Sequence, residues 1–404
     1  MRPESRTPDE PTTPGARTTP DGRTTPYDRP TPYGWTTPDG RTTPDPRQPD
    51  DGGPAPAPDA GRPVRVSVII PAYNARTTLR ACLLSLIHQE AARRPPVPEP
   101  PAPEPAGRAP RPSYGPDRAY GAEPARAHPY THAPYTYEVI VVDDGSSDGT
   151  AGMLAGFPDR LDLRYVHLPR SPLSGRARAR NAGLAMATGE LVVTLDADQV
   201  VEPGFLGEHV RAHATDPALL VVGRRLQLDE GEIDQEALAR GFDLSALPPV
   251  VRGDEREGVF RVLACELADM ATGWHHAWTC NASVRRDRLI AAGGFDEGFA
   301  GWGLEDAELA YRLVRDGAGM RYSTRAAVYH EHRQPVTAAM YREWRENLAY
   351  FLRKHPDPAV RLQEMFAPAI DPDRSVHGSW EETAARFEHA ARALGGGPRP
   401  LSVT

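Results

Sequence analysis

Apolar positions along this chain fall into runs of two different periods, separated by stretches that have neither. "VRVSVIIPAYN" is a β-branched run that closes on Pro71, Tyr73 and the turn-former Asn74, the pattern of a buried parallel strand followed by a loop. Directly after it Leu79, Cys82, Leu83, Leu86 and Ile87 recur every three or four residues, which predicts a helix with one core face. The alternation then repeats. "YEVIVVDDGSSDGT" is a second strand that ends in acidic and turn residues, with Ser146, Ser147 or Asp148 placed to cap a helix. A short strand "LRYVHL", a helix over "GRARARNAGLAMATGE", a fourth strand "LVVTLDADQ" and a fifth "ALLVVGRRLQL" follow. Residues 229–265 are charged and weakly periodic and predict no element. Beyond them a helix is expected around Glu308 to Val314, stopped at Gly317, and then a strand toward Tyr329.

Strands that alternate with helices predict an α/β fold, a Rossmann-like, doubly wound and mostly parallel sheet flanked by helices. In such sheets ligands bind beyond the carboxyl ends of the strands. Asn74, Asp143, Asp144, Asp196 and Asp198 all fall at strand C-termini, so they are expected to line one rim.

Composition changes the picture mainly at the ends and in one gap. Proline is abundant, 44 residues in all, and most concentrated over 3–63 and 95–134, and from Arg17 the chain repeats in hexads such as RTTPDG and RTTPYD. Such tracts bury too little apolar surface to offset their ordering entropy. The expected organisation is a disordered Thr/Pro-rich tail over 1–62, a domain over 63–345 and a helical or flexible charged tail over 346–404. Within the domain, 91–135 reads as a proline-rich surface insertion near the rim.

A net charge of −8 gives no sign of a nucleic-acid binder. Cys82, Cys265 and Cys280 are widely and irregularly spaced, which suits a reduced compartment. No apolar run reaches the roughly 18 to 20 residues that span a bilayer, and the N-terminus lacks a secretory apolar segment. The expectation is a cytoplasmic protein, with peripheral membrane contact and oligomeric state left open.

Asp196 and Asp198 are alternate residues at a strand end, where two carboxylates can meet a hard divalent cation and a diphosphate. The same D-x-D spacing at Asp371 and Asp373 flanks a proline and follows no strand, so position separates the two. Asp143 and Asp144 precede Gly145 and two serines, which fits an Asx turn capping the next helix or a carboxylate that accepts from a nucleobase N–H. "GWGLED", residues 301–306, sets Trp302 between glycines ahead of Glu305 and Asp306. Acidic residues are ordinary in a helix's first turn, but the glycines and the flat indole are not explained by that.

"VSVIIPAYN", "VIVVDDGSSDGT", "ARNAGLAMATGELVVTLDADQ" and "GFDEGFAGWGLEDAELAYRL" together resemble the successive motifs of family 2 glycosyltransferases of GT-A type. The last also resembles the matching segment of galactosyltransferases. The resemblance runs from about Val64 to His332 apart from the insertion. It implies a nucleotide-sugar donor, usually a UDP-sugar, and Mn²⁺ or Mg²⁺. Pro71, Tyr73 and Asn74 would contact the nucleotide, Asp143 or Asp144 the uracil, and Arg180 the donor near its diphosphate. Asp198 matches the metal-binding aspartate and Asp196 the one nearer the ribose and sugar. His330 falls where galactosyltransferase-like members place a metal-ligating histidine, with His332 as the fallback. Asp306 would be the base toward the acceptor hydroxyl, Glu305 a binding group or alternate base, and Trp302 a stacking face for the sugar.

Two departures stand out: Leu304, where many such enzymes carry a further glycine, and Gln199, where another acidic residue is common. The signature of processive synthases is absent, so single-sugar transfer to an acceptor of unknown class is expected. Trp274, His275, His276 and Trp278 read either as site residues or as a packed aromatic cluster. Two other classes compete: a sugar-nucleotide-binding scaffold without turnover, and a nucleotidyltransferase, for which no glycine-rich basic phosphate loop follows the first strand.

Overall fold

The computed structural model of the chain describes residues 62–90, 134–331, 335–373 and 379–395. The tail expected over 1–62 (but for Arg62) and nearly all of the expected insertion lie outside the described residues, as does His332. In chain order the first half contains β1 (Val64–Ala72), α1 (Arg76–Leu86), β2 (Tyr135–Asp143), α2 (Thr150–Leu154), β3 (Leu163–His167), α3 (Arg176–Met186) and β4 (Leu191–Leu195). Next come β5 (Gln199–Val201), α4 (Phe205–Thr215), β6 (Leu220–Leu228), α5 (Gln235–Arg240), β7 (Val250–Arg252), α6 (Glu255–Leu263) and β8 (Asn281–Arg285). The chain continues through α7 (Arg286–Ala291), α8 (Glu305–Arg315), β9 (Met320–His330), α9 (Ala338–Lys354), α10 (Pro358–Arg361), α11 (Ala367–Ile370) and α12 (Trp380–Ala393).

One sheet holds the described strands in the order β3-β2-β1-β4-β8-β6-β9-β5, with β7 beside β6. The expected α/β architecture is present, and its Rossmann-like part is the β3-β2-β1-β4 half, where every pairing is parallel. Beyond β4 the sheet becomes mixed: β8 runs antiparallel to both β4 and β6, while β9 is parallel to β6 and antiparallel to β5. The parallel half forms because its inner strands β1, β2 and β4 are largely β-branched runs buried on both faces, with Val66, Val68, Ile70, Val139 and Val193 fully enclosed. Helix α3 can lie close on it because Gly183 has no Cβ; one built there would stand 2.4 Å from Ile69 Cγ2.

Three features differ from the sequence expectation. The described residues that flank 91–133 do not lie at the rim. Tyr137 near the start of β2 donates its hydroxyl to Leu86 O at the end of α1, and Pro134 O accepts from Val64 N at the start of β1. Both flanks therefore sit at the N-terminal ends of the strands, opposite the rim, and Tyr135 already belongs to β2. The unassigned 229–265 carries α5, β7 and α6. Finally, the expected boundary after residue 345 cuts through α9, and the described residues beyond it are packed into the domain rather than forming a tail. Phe351, Phe366 and Phe387 are fully buried around Trp274 and His275.

Candidate active site

Two loops at the C-terminal ends of β1 and β2 are stitched together by side chains that their turn residues supply. Asn74 sits in the left-handed region at φ 49°, which asparagine tolerates. Its backbone N–H donates to Ser146 Oγ at 2.8 Å, and its Oδ1 accepts from Ser147 N at 2.9 Å. Pro71 lies past the last β1–β4 pair, Ile69 with Thr194. Asp143 is buried and both its oxygens are engaged: Oδ1 accepts from Ser146 N at 2.7 Å, and Oδ2 accepts from the Tyr165 hydroxyl at 2.8 Å. Its Asx turn is thus present. Asp144 is equally buried, held by Arg170 Nη1 at 3.0 Å and Arg178 Nη1 at 3.4 Å. The Arg170 guanidinium also lies 4.1 Å over the exposed ring of Tyr73.

Between β4 and β5 the chain turns through Asp196, Ala197 and Asp198, and this turn meets α3 and the start of α8. Arg180 of α3 is almost wholly buried and bridges Asp196 Oδ1 at 3.0 Å and Glu305 Oε1 at 2.9 Å. Burial works against its charge, but Asp196, Glu305 and Asp306 outweigh burial and raise its pKa. Glu305 is buried, and the half-buried Asp306 beside it lines a small cavity walled by Thr194, Thr279, Phe295 and Leu309. Burial first, and then the like charge of Glu305, push the Asp306 carboxyl up to about 7; Arg180 offsets part of this.

On the other side of the turn, Asp198 Oδ2 stands 3.4 Å from His330 Nε2. The β5–β9 pairing of Gln199 with His330 sets that approach. Burial opposes the Asp198 charge, and the contact with His330 more than compensates, lowering its pKa. Asp198 Oδ1, His330 Nδ1 and both amide atoms of Gln199 are buried without a hydrogen-bond partner. A carboxylate oxygen and an imidazole nitrogen facing each other, with polar atoms nearby left unsatisfied, fit a divalent cation of the Mn²⁺ type. Among the described residues no group of three His, Cys, Asp or Glu side chains is arranged to hold a metal.

"GWGLED" is a left-handed loop. Gly301, Gly303 and Leu304 have φ of 70°, 94° and 75°. Leu304 occupies a conformation that favours glycine and nonetheless buries its side chain. Trp302 is half-buried at the edge of this loop. Glu308, also in the first turn of α8, is fully buried and bound by Arg312, Lys354 and His355; burial opposes its charge, yet these partners hold it down at about 2.

The structure therefore brings Arg180, Asp196, Glu305 and Asp306 together, pairs Asp198 with His330, and gathers Tyr73, Asn74, Asp143 and Asp144 on the adjoining loops. The Trp274 and His275 cluster belongs to packing: Trp274 is buried edge-on to Phe387, and His275 stacks on Phe366 with Nδ1 3.1 Å from Gln363 Oε1. Trp278 lies under Arg225 and Arg256 at 4.4 and 4.5 Å. Glu343 and Asn347 touch the "GWGLED" backbone from α9, and no sequence signal marked them.

Residues 128–245 match the family model of glycosyl transferase family 2, and residues 261–333 match the model described as the N-terminal domain of galactosyltransferase. A validoxylamine A glucosyltransferase of Streptomyces hygroscopicus subsp. limoneus is 33% identical over 285 residues, 66% of this chain and 59% of that protein. The pre-mycofactocin glycosyltransferase of Mycobacterium tuberculosis (strain ATCC 25618 / H37Rv) is 33% identical over 57% of this chain and 44% of its own length. The chain thus spans about three fifths or less of the length of these curated relatives. A structure of S. aureus TarS in complex with UDP aligns with 81% of this chain and 72% of that chain, at 15% identity and a TM-score of 0.46. The chain carries a family 2 glycosyltransferase domain whose C-terminal segment is galactosyltransferase-like.

Proposed function

We propose that the domain transfers a single sugar from a nucleotide-sugar, most simply a UDP-sugar, to an acceptor hydroxyl with inversion and with the help of a divalent cation. The observation that carries this reading is the Asp196–Arg180–Glu305 bridge. It joins the strand-end carboxylates, where a donor diphosphate would lie, to the loop that presents Asp306.

Asp306 is suited to act as the base. An alcohol is a weak nucleophile at neutral pH, and taking its proton as the new bond forms is worth about 10² to 10⁴ in rate. A carboxyl raised to about 7 is a stronger proton acceptor than an ordinary aspartate and is still substantially ionised near neutrality. The acceptor oxygen would attack the anomeric carbon as the bond to the diphosphate oxygen breaks on the opposite face, and its proton would pass to the Asp306 carboxylate. One displacement of this kind inverts the anomeric centre. Asp198 and His330 would hold the cation, which when bound neutralises charge on the departing diphosphate. Tyr73 offers an exposed face to a base, with Arg170 as its cover. Asp143 is committed to its turn, so contact with the base falls to the Asp144 oxygen that Arg170 would release, with Arg178 still holding the other.

The glucosyltransferase relative makes UDP-glucose the first donor to try. The test measures UDP release from a panel of UDP-sugars with Mn²⁺, for wild type, Asp306→Asn and Asp198→Ala. Loss of turnover on the order of a hundredfold or more in both variants is expected; an Asp306→Asn protein as active as wild type would sink the base assignment.

A further inference from the structure

Helix α9 lies along the back of residues 296–303, and its residues meet that loop in reverse order. Lys354 and Tyr350 bind Asp296, the latter at 3.0 Å from its hydroxyl. Tyr350 and Phe351 pack edge-on against Phe299. The buried Asn347 points its amide NH₂ at three carbonyls: Ala300 at 2.9 Å, Gly303 at 2.8 Å and, more weakly, Trp302 at 3.4 Å. Glu343 Oε2 accepts from Trp302 N at 2.9 Å. The fit is close as well as polar, since a Cβ on Gly301 would stand 2.5 Å from Glu343 Cδ.

This support falls where the backbone needs it. Three residues in a four-residue span are left-handed, and one of them is a leucine. Such a conformation persists only where its surroundings over-determine it.

We propose that Asn347 and Glu343 are positioning residues for transfer: from one face of α9 they fix the backbone of residues 300–303, and so set where Trp302 and Asp306 stand relative to the donor-side carboxylates. The inference rests on the reading of Asp306 as base. Neither residue touches the reacting atoms; both act through the loop.

The test uses the full chain with Asn347→Ala, Glu343→Ala and Glu343→Gln, the last retaining an acceptor oxygen for Trp302 N while removing the charge. Hydrogen exchange of the ligand-free protein reads the loop directly. The two alanine variants should speed exchange of the 301–305 amides by roughly fivefold or more, the equivalent of one lost hydrogen bond. Amides of β1, β2 and β4 should keep wild-type protection in all three variants, and Glu343→Gln should match wild type throughout.

Turnover reads the consequence. With UDP-glucose and Mn²⁺, UDP release by the alanine variants should fall on the order of tenfold to a hundredfold, because small displacements of a reacting group are costly. KM for UDP-glucose should stay within about twofold, since the donor side is untouched. The acid limb of the rate profile should move to lower pH as water reaches Asp306. The charged groups that face it, Glu305, Arg180 and Asp196, are unchanged in every variant. An unmoved acid limb, loss of protection across the whole sheet, or a Glu343→Gln protein as impaired as Glu343→Ala would overturn the positioning role. A wild-type chain that releases UDP from no donor overturns the transfer reading instead, and exchange of the 301–305 amides then decides the clamp by itself.

Discussion

Leu304 takes a backbone conformation that favours glycine, and its surroundings show what that entails. At φ 75° an L side chain costs about 1–2 kcal/mol, while burying a leucine returns roughly 1.5–3 kcal/mol. Leu304→Ala should keep the strain and lose the packing; Leu304→Gly loses the packing but sheds the strain. The glycine variant should therefore be the more stable of the two by about 1 kcal/mol in denaturant melts, the reverse of the usual order in helices. Asp306 makes a second prediction at this scale. Its carboxyl titrates near 7 in the folded chain against an ordinary 3.8, so the folded state binds the proton more tightly than the unfolded state does. Asp306 therefore contributes most below about pH 4, and that contribution is lost as the pH rises from about 4 to about 7. Above pH 7 Asp306→Asn should melt higher than wild type by at least about 1 kcal/mol while being inactive, with the advantage gone below pH 4. Residue identity at the D-x-D turn and in "GWGLED" was legible because each sits where strand or helix patterning ends. The state of Asp143 and Asp144 was not, because a rim position does not tell whether Tyr165 or Arg170 already occupies the carboxylate.

Among the elements, the parallel strands were legible and the antiparallel ones were not. β8 reads "NASVR", and two of its four buried positions are polar, satisfied by neighbouring groups: Asn281 donates to Ala326 O at 2.8 Å, and Ser283 Oγ lies 2.8 Å from His209 Nδ1. A hydrophobicity pattern passes over such a strand. β5 is three residues long, too short to register, yet it sets Asp198 against His330 on β9. If that pairing is what holds a cation, Mn²⁺ with UDP should raise the melting temperature of wild type. At about 100 times Kd the gain is about 2.7 kcal/mol. Asp198→Ala should show no Mn²⁺-dependent part of that shift. An equal shift in the variant would move the cation elsewhere.

At the scale of the whole molecule, the boundary expected after residue 345 rests on the charged character of the residues beyond it. It missed that a few large aromatics suffice to close a core. Phe351, Phe366 and Phe387 are each fully buried, at roughly 1.5–3 kcal/mol apiece, which together rivals the ~5–15 kcal/mol stability of a typical domain. A chain ending at residue 345 should accordingly lose cooperative unfolding by circular dichroism and fail to bind UDP with Mn²⁺. A truncated chain with a wild-type melt would restore the tail reading. The described residues that flank 91–133, by contrast, lie at the N-terminal ends of β1 and β2, away from the rim.

The reverse-order contact between α9 and residues 296–303 bears on how such a site could be moved or rebuilt. Short motifs are usually exchanged between enzymes as strings, on the premise that the string carries its own shape. Here the shape of "GWGLED" is written partly in residues some forty positions downstream, at Glu343 and Asn347. The transplantable unit is the loop together with 338–354; a graft of the hexapeptide alone would bring the chemistry of Asp306 without the backbone that aims it.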